Sequence, residues 1–144
     1  MDLACRKAGP GGSILVLLDA DEDCPAEEGP RLLGWARRER GDVECAVVLA
    51  KRELEAWFVA SIDSLRGHRK VRMDAAPPLR PEEIADAKGW LSAAMEPGAR
   101  YGPVKDQAGL AEVFDLGLAR MRSPSFEKFF RDSTRLLRVP CDRG

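Results

Sequence analysis

Histidine is almost absent from this 144-residue chain; His68 is its single example. The four cysteines, Cys5, Cys24, Cys45 and Cys141, are scattered without a CxxC pair, so a zinc site lacks a ligand set. Net charge is equally scarce. Lys+Arg 23 against Asp+Glu 24 leaves −1, which gives the whole molecule no bulk attraction to nucleic acid or to an anionic membrane. Any polyanion must be held locally. No charged-then-apolar leader opens the sequence, and no apolar run, Ile14 to Leu18 included, approaches the ~20 residues of a membrane helix. We therefore expect no membrane association and a cytoplasmic protein with reduced thiols.

What is present points to a folded core. Hydrophobic residues make up 44% and charged residues 33%, a balance that excludes disordered and fibrous classes, and 15.8 kDa suits a single domain over residues 1–144. Charge is unevenly placed. Residues 1–30 carry seven acids and two bases, whereas residues 119–144 carry seven bases and three acids. An acidic pole able to hold a cation coexists with a basic tail able to touch phosphate, although two solvated faces would give the same pattern.

Ser13 to Leu18 is a continuous aliphatic run, the mark of a strand buried on both faces of a parallel sheet, and Asp19 ends it. After the polar loop DADEDCPAEEG, Pro30 suits a first helical position, with Leu32, Leu33, Trp35 and Ala36 supplying an apolar side until Gly41. A second aliphatic run, Val43 to Ala50, follows. Strand, helix, strand is a βαβ unit, so Asp19–Asp23 and Lys51–Glu55 emerge on the same sheet edge, where ligands bind in open α/β sheets. Downstream, Leu54, Trp57, Phe58, Ile62 and Leu65 are spaced as a helix, and Ile84, Ala87, Leu91 and Met95 as another over about 81–95 with Lys88 inside its stripe. Ser123 and Pro124 read as cap and first position of a last helix with Phe126, Phe129, Phe130 and Leu137 inward. The fold class is α/β, with a mainly parallel sheet flanked by helices and a helical C-terminal half.

The chemistry starts with Asp19-Ala-Asp21-Glu-Asp23. Alternate residues of an extended segment project alike, so Asp19 and Asp21, with Asp23 nearby, can approach one ion, and hard carboxylate oxygens favour Mg²⁺ or Mn²⁺. An acidic loop capping the next helix is the competing explanation. Lys51, Glu53 and Glu55 form a second cluster, in which a carboxylate can complete a metal shell and a lysine can neutralise a phosphoryl group. Lys88 either reaches toward this site or snorkels to solvent. His68, in a basic loop, is expected at the surface. Arg131, Arg135 and Arg138 would hold a nucleic-acid backbone without reading bases.

The strings LVLLDADEDCP, VVLAKRELEAWFVASIDSL, DAKGWL, VKDQ and FDLGLARMRSPSFEKF resemble the DUF4276 family of bacterial proteins, a Toprim-like group. The resemblance runs through nearly the whole chain. It implies a Toprim-type sheet, Asp19 and Asp21 as the metal carboxylates, Lys51, Glu53 and Glu55 in the signature after the next strand, and Lys88 in the AKGWL motif. Similar proteins include nucleases that accompany ATPases in phage defence. The implied function is Mg²⁺-dependent phosphodiester chemistry on nucleic acid, with an ATPase as partner. A Toprim domain also has an earlier strand ending in a glutamate, and no such segment precedes the DxD here. The chain is thus expected to be N-terminally truncated or completed by another chain, with an exposed sheet edge that favours self-association. A non-catalytic interaction or regulatory module is the alternative, and a DxD glycosyltransferase a more distant one, since the nucleotide-binding half before its DxD is missing.

Overall fold

The computed structural model describes residues 2–137. It opens with helix α1 (Asp2–Ala8), strand β1 (Ser13–Asp19), helix α2 (Pro25–Glu39) and strand β2 (Glu44–Ala50), and β1 pairs with β2 in parallel from Ser13 opposite Glu44 to Asp19 opposite Ala50. The expected βαβ unit is therefore in place. Six helices follow: α3 (Glu55–Ala60), α4 (Ile62–Leu65), α5 (Ala87–Ala93), α6 (Pro103–Ala111), α7 (Leu116–Arg122) and α8 (Pro124–Leu137), with a 3₁₀ turn at Pro81–Glu83.

Among the described residues the sheet has two strands, and they differ in environment. Cys45 to Ala50 of β2 are buried, between α2 on one face and α8 on the other. In β1 only Ile14 is buried, and Leu18 is 44% exposed. The continuous apolar run predicted a strand covered on both sides; β1 stands at the rim of the sheet, so its flanking helices shield it only in part.

Several helix boundaries depart from the sequence pattern. Helix α2 begins at Pro25, with Glu27 and Glu28 favouring its positive end, so Pro30 lies inside the helix rather than at its start. Trp35 is half exposed and lies under the Arg31 guanidinium, 4.6 Å from its carbon to the ring centroid. The helix expected from Leu54 to Leu65 breaks at Ser61 into α3 and α4, and every residue of α3 is buried. The helix expected over 81–95 is likewise divided. Asp86 accepts a hydrogen bond from the Gly89 amide at 2.7 Å and starts α5 anew, because an N-cap aspartate competes with continued helix. Ser123 caps α8 as expected, taking the Phe126 amide at 3.1 Å. Leu137, however, is 86% exposed and Leu136 is buried in its place, a one-residue difference in facing at the end of α8.

Helix α8 is tied down by a closed polar network. The Ser125 hydroxyl accepts from Trp57 Nε1 at 2.8 Å and from the Lys51 amide at 3.3 Å, and donates to Glu82 Oε1. That same carboxylate oxygen accepts from the Ser125 amide at 2.9 Å and from the Ser123 hydroxyl. Each hydroxyl thus uses its one proton on Glu82, which is buried. Glu82→Ala is expected to destabilise the protein by about 1–3 kcal/mol in urea unfolding, and Glu82→Gln by less, since the amide oxygen keeps one acceptor in place. Equal losses for the two variants would contradict this network.

Candidate functional site

The parallel pairing delivers the ends of β1 and β2 to one edge. Asp19, the last residue of β1, accepts a hydrogen bond on Oδ1 from the Leu54 amide at 2.7 Å, which joins the two strand-end loops. The Asp21 amide donates to the Arg52 carbonyl at 2.9 Å, and both residues are left-handed, with φ of 48° for Asp21 and 60° for Arg52. A non-glycine pair in that conformation, arginine above all, carries strain of a kind found at functional loops.

Behind this edge lies a lysine between two glutamates. Lys88 Nζ is 2.7 Å from Glu53 Oε1 and 3.2 Å from Glu55 Oε2. Glu53 Oε2 also accepts the amides of Ala87 at 3.0 Å and Lys88 at 3.2 Å, so one side chain fixes both the start of α5 and its lysine. Glu55, the first residue of α3, is 3% exposed. Its other oxygen accepts from the Tyr101 hydroxyl at 3.0 Å. Tyr101 was not foreshadowed by any motif: it is the only tyrosine and lies in the ARYGP break before α6, 46 residues from Glu55.

The electrostatics follow from crowding. Desolvation pushes the Asp19 carboxyl above the ordinary carboxylate range; the Leu54 amide opposes this, Glu55 and Asp21 add to it as like charges, and Lys88 pulls back. A raised native pKa means that Asp19 stabilises the fold while protonated, and this contribution is lost as pH rises through that pKa. Burial works against the Lys88 ammonium, but its bonds to Glu53 and Glu55 hold it above the usual lysine value. Burial, then the charge of Glu55, pushes the Tyr101 hydroxyl upward, so it stays a proton donor.

The other expected site residues are placed differently. Asp23 is exposed, and its amide closes the turn on the Ala20 carbonyl at 2.8 Å; its side chain makes no described contact with the Glu53–Lys88–Glu55 group. The Lys51 side chain is exposed beside Arg80, Arg122 and Pro124 and makes no described contact with these carboxylates. His68 is exposed, as expected. The basic tail lies at the opposite end of the sheet, because α8 runs antiparallel to β2: Ser125 meets Lys51, Lys128 Nζ meets the Val47 carbonyl at 2.9 Å, and Arg135 pairs with Glu44 at the start of β2. That is about 20 Å from the carboxylate edge, the length of a seven-residue strand. Arg131 is exposed on the same helix; Arg138 and Cys141 lie outside the described residues.

Among the described residues, no three His, Cys, Asp or Glu side chains stand as a ready metal cage. The donor chemistry nonetheless fits a hard divalent cation. Asp21 has no described side-chain partner and Asp19 keeps one oxygen outside its bond to Leu54, while Glu55 lies close enough to raise the Asp19 pKa. Closing this shell requires the loop carrying Asp21 to move toward Glu55 and Lys88 to give way.

A sequence model of one protein family, described as a domain of unknown function (DUF4276), matches residues 2–132. Neither the curated proteins nor the solved structures yield a match. No helix among the described residues is long and apolar enough to cross a membrane.

Proposed function

The chain belongs to the DUF4276 family, and from that premise we propose that its strand-end edge carries out Mg²⁺- or Mn²⁺-dependent phosphodiester cleavage of nucleic acid on a Toprim-like sheet. The observation that carries this reading is that Asp19 and the Glu53–Lys88–Glu55 group stand at the carboxyl ends of two parallel strands, with Asp21 in the loop that leaves the same edge. Asp19, Asp21 and Glu55 would hold the cation, which when bound supplies Lewis acidity at a phosphoryl oxygen. Water would supply the oxygen that replaces the leaving ester oxygen on phosphorus, and the chain's own groups orient the ligands and bind the phosphate. The Leu54 amide orients Asp19, the Tyr101 hydroxyl orients Glu55, and Lys88, once released from the glutamates, offers its ammonium to the phosphate. Arg131 and Arg135 would reach a bound duplex roughly 20 Å, or about six base pairs, from the reacting phosphate. The resemblance to nucleases of phage defence supports an ATPase partner and a cytoplasmic setting, in keeping with the free thiols of Cys5, Cys24 and Cys45.

Incubating the chain with single- and double-stranded DNA and RNA in Mg²⁺ or Mn²⁺ tests the reading. Cation-dependent cleavage is expected, reduced at least about 100-fold by Asp21→Asn. A second reading, a non-catalytic module, is favoured by one observation: Lys88 already satisfies Glu53 and Glu55 without any ion. Absent cleavage turns the assignment to that module, whereas cleavage that Asp21→Asn leaves intact removes Asp21 from the cation site.

A further inference from the structure

The rim of the sheet runs along β1 and meets the carboxylate edge at Asp19. The Ala20 amide donates to Ala50, and alternate residues of a parallel ladder point their backbone groups the same way. The even-numbered residues of β1 therefore face β2, and Ser13, Leu15, Leu17 and Asp19 direct their amides and carbonyls outward. This rim has none of the usual guards: over Ser13–Leu18 it contains no charge, no proline and no glycine. It is also flanked by uncovered apolar surface. Leu18 is 44% and Leu137 is 86% exposed, and a groove of about 460 Å³ beside the strand is lined by Ser13, Leu15, Leu136 and Leu137. Ser133 lines the same groove, and its buried hydroxyl has no hydrogen-bond partner.

We propose that β1 pairs antiparallel with β1 of a second copy of this chain, across a two-fold axis at Val16, to make a continuous four-stranded sheet. Two features of the rim select a second copy. With the axis at Val16, Leu15 faces Leu17 of the other copy and Ser13 faces Asp19, so every outward-facing backbone position meets another outward-facing one. Charge is complementary along the same direction. The end of β1 at Asp19 is acidic, with Asp21 and Asp23 beyond it and Glu22 paired with Arg52. At the opposite end of the sheet Arg40 is paired with Asp42 and Arg135 with Glu44, and Arg6 at the rim, Lys7 in the last turn of α1 and Arg37 and Arg38 in the last turn of α2 outnumber Glu39. Antiparallel pairing sets each acidic end beside a basic one, whereas parallel pairing would stack like on like.

Light scattering on the purified chain tests this. The expected mass is twice 15.8 kDa, falling toward one chain as salt is raised to about 1 M, where charge attraction is screened within about 3 Å. Leu15→Pro removes an outward donor without touching the bonds to β2, and Leu15→Lys places a guarding charge at the same position; both are expected to give the mass of one chain with a retained cooperative melt. Leu79→Lys, on a separate surface where Leu79 is 96% exposed, should remain a dimer. A single-chain mass at the highest soluble concentration, a dimer untouched by both Leu15 variants, or open-ended larger species would each overturn the proposal.

Discussion

Lys88→Met is expected to separate two quantities that ordinary damage to a site lowers together. Phosphodiester cleavage should fall by about 10²–10³-fold, since the variant loses the ammonium offered to the phosphate. Affinity for Mg²⁺ should rise, because Glu53 and Glu55 are no longer neutralised from within. The metal-free variant should also be less stable, with Glu55 at 3% exposure left without a counter-charge and held only by the Tyr101 hydroxyl. Full loss of a partner from a buried pair costs several kcal/mol, but the Lys88 side chain is 38% exposed, which reduces the expected cost to about 1–2 kcal/mol. Isothermal titration of Mg²⁺ beside a cleavage assay reads both effects. Weaker Mg²⁺ binding in the variant would show that Lys88 supports the cation site instead of occupying its place.

Phe126→Ala is expected to give the largest loss of stability, about 3–5 kcal/mol in urea unfolding. The ring is 1% exposed and meets Trp57 edge-on at 5.0 Å between centroids, Phe114 at 5.4 Å and Phe129 at 5.7 Å. It joins α3, which carries Glu55 on its first turn, to α8. The polar network of Ser125 with Trp57 and the Lys51 amide sits directly beside it, so the cavity should also loosen the strand-end loop. Val104→Ala, at a fully exposed position, should change stability by no more than about 0.5 kcal/mol. A loss below about 1 kcal/mol for Phe126→Ala would contradict an aromatic cluster at this junction.

The site was legible where it depends on chain direction alone. Two aliphatic runs joined by one helix fix a parallel pair, and a parallel pair puts Asp19 and Glu53–Glu55 on one edge whatever surrounds them. Lys88 was visible as a charge inside an apolar stripe, and the structure takes it to the glutamates. Features set by distant contacts left no local trace. Tyr101 reaches Glu55 across 46 residues of sequence, and Glu82 reaches Ser125 across 43. The basic tail is expected to hold a nucleic-acid backbone because its composition suits one, and composition leaves open the direction of α8, which carries Arg135 to the far end of β2. The start of α2 was misjudged because Pro25 and Pro30 both fit a first helical position and only the acids after Pro25 separate them. The shielding of β1 was overestimated for a related reason: an aliphatic run reports what a strand can bury, not whether a neighbour is there.

The most direct test of the strand-end site is the melting temperature of the chain against Mg²⁺ and Mn²⁺ concentration, beside the Asp19→Asn/Asp21→Asn variant. A cation that binds the native state stabilises it by about 2.7 kcal/mol at a hundredfold excess over its Kd. The account predicts a saturable rise in the unmutated chain and none in the variant, with both chains melting cooperatively without cation. Equal rises in the two chains, or no rise in the unmutated one, would contradict a cation held by Asp19 and Asp21.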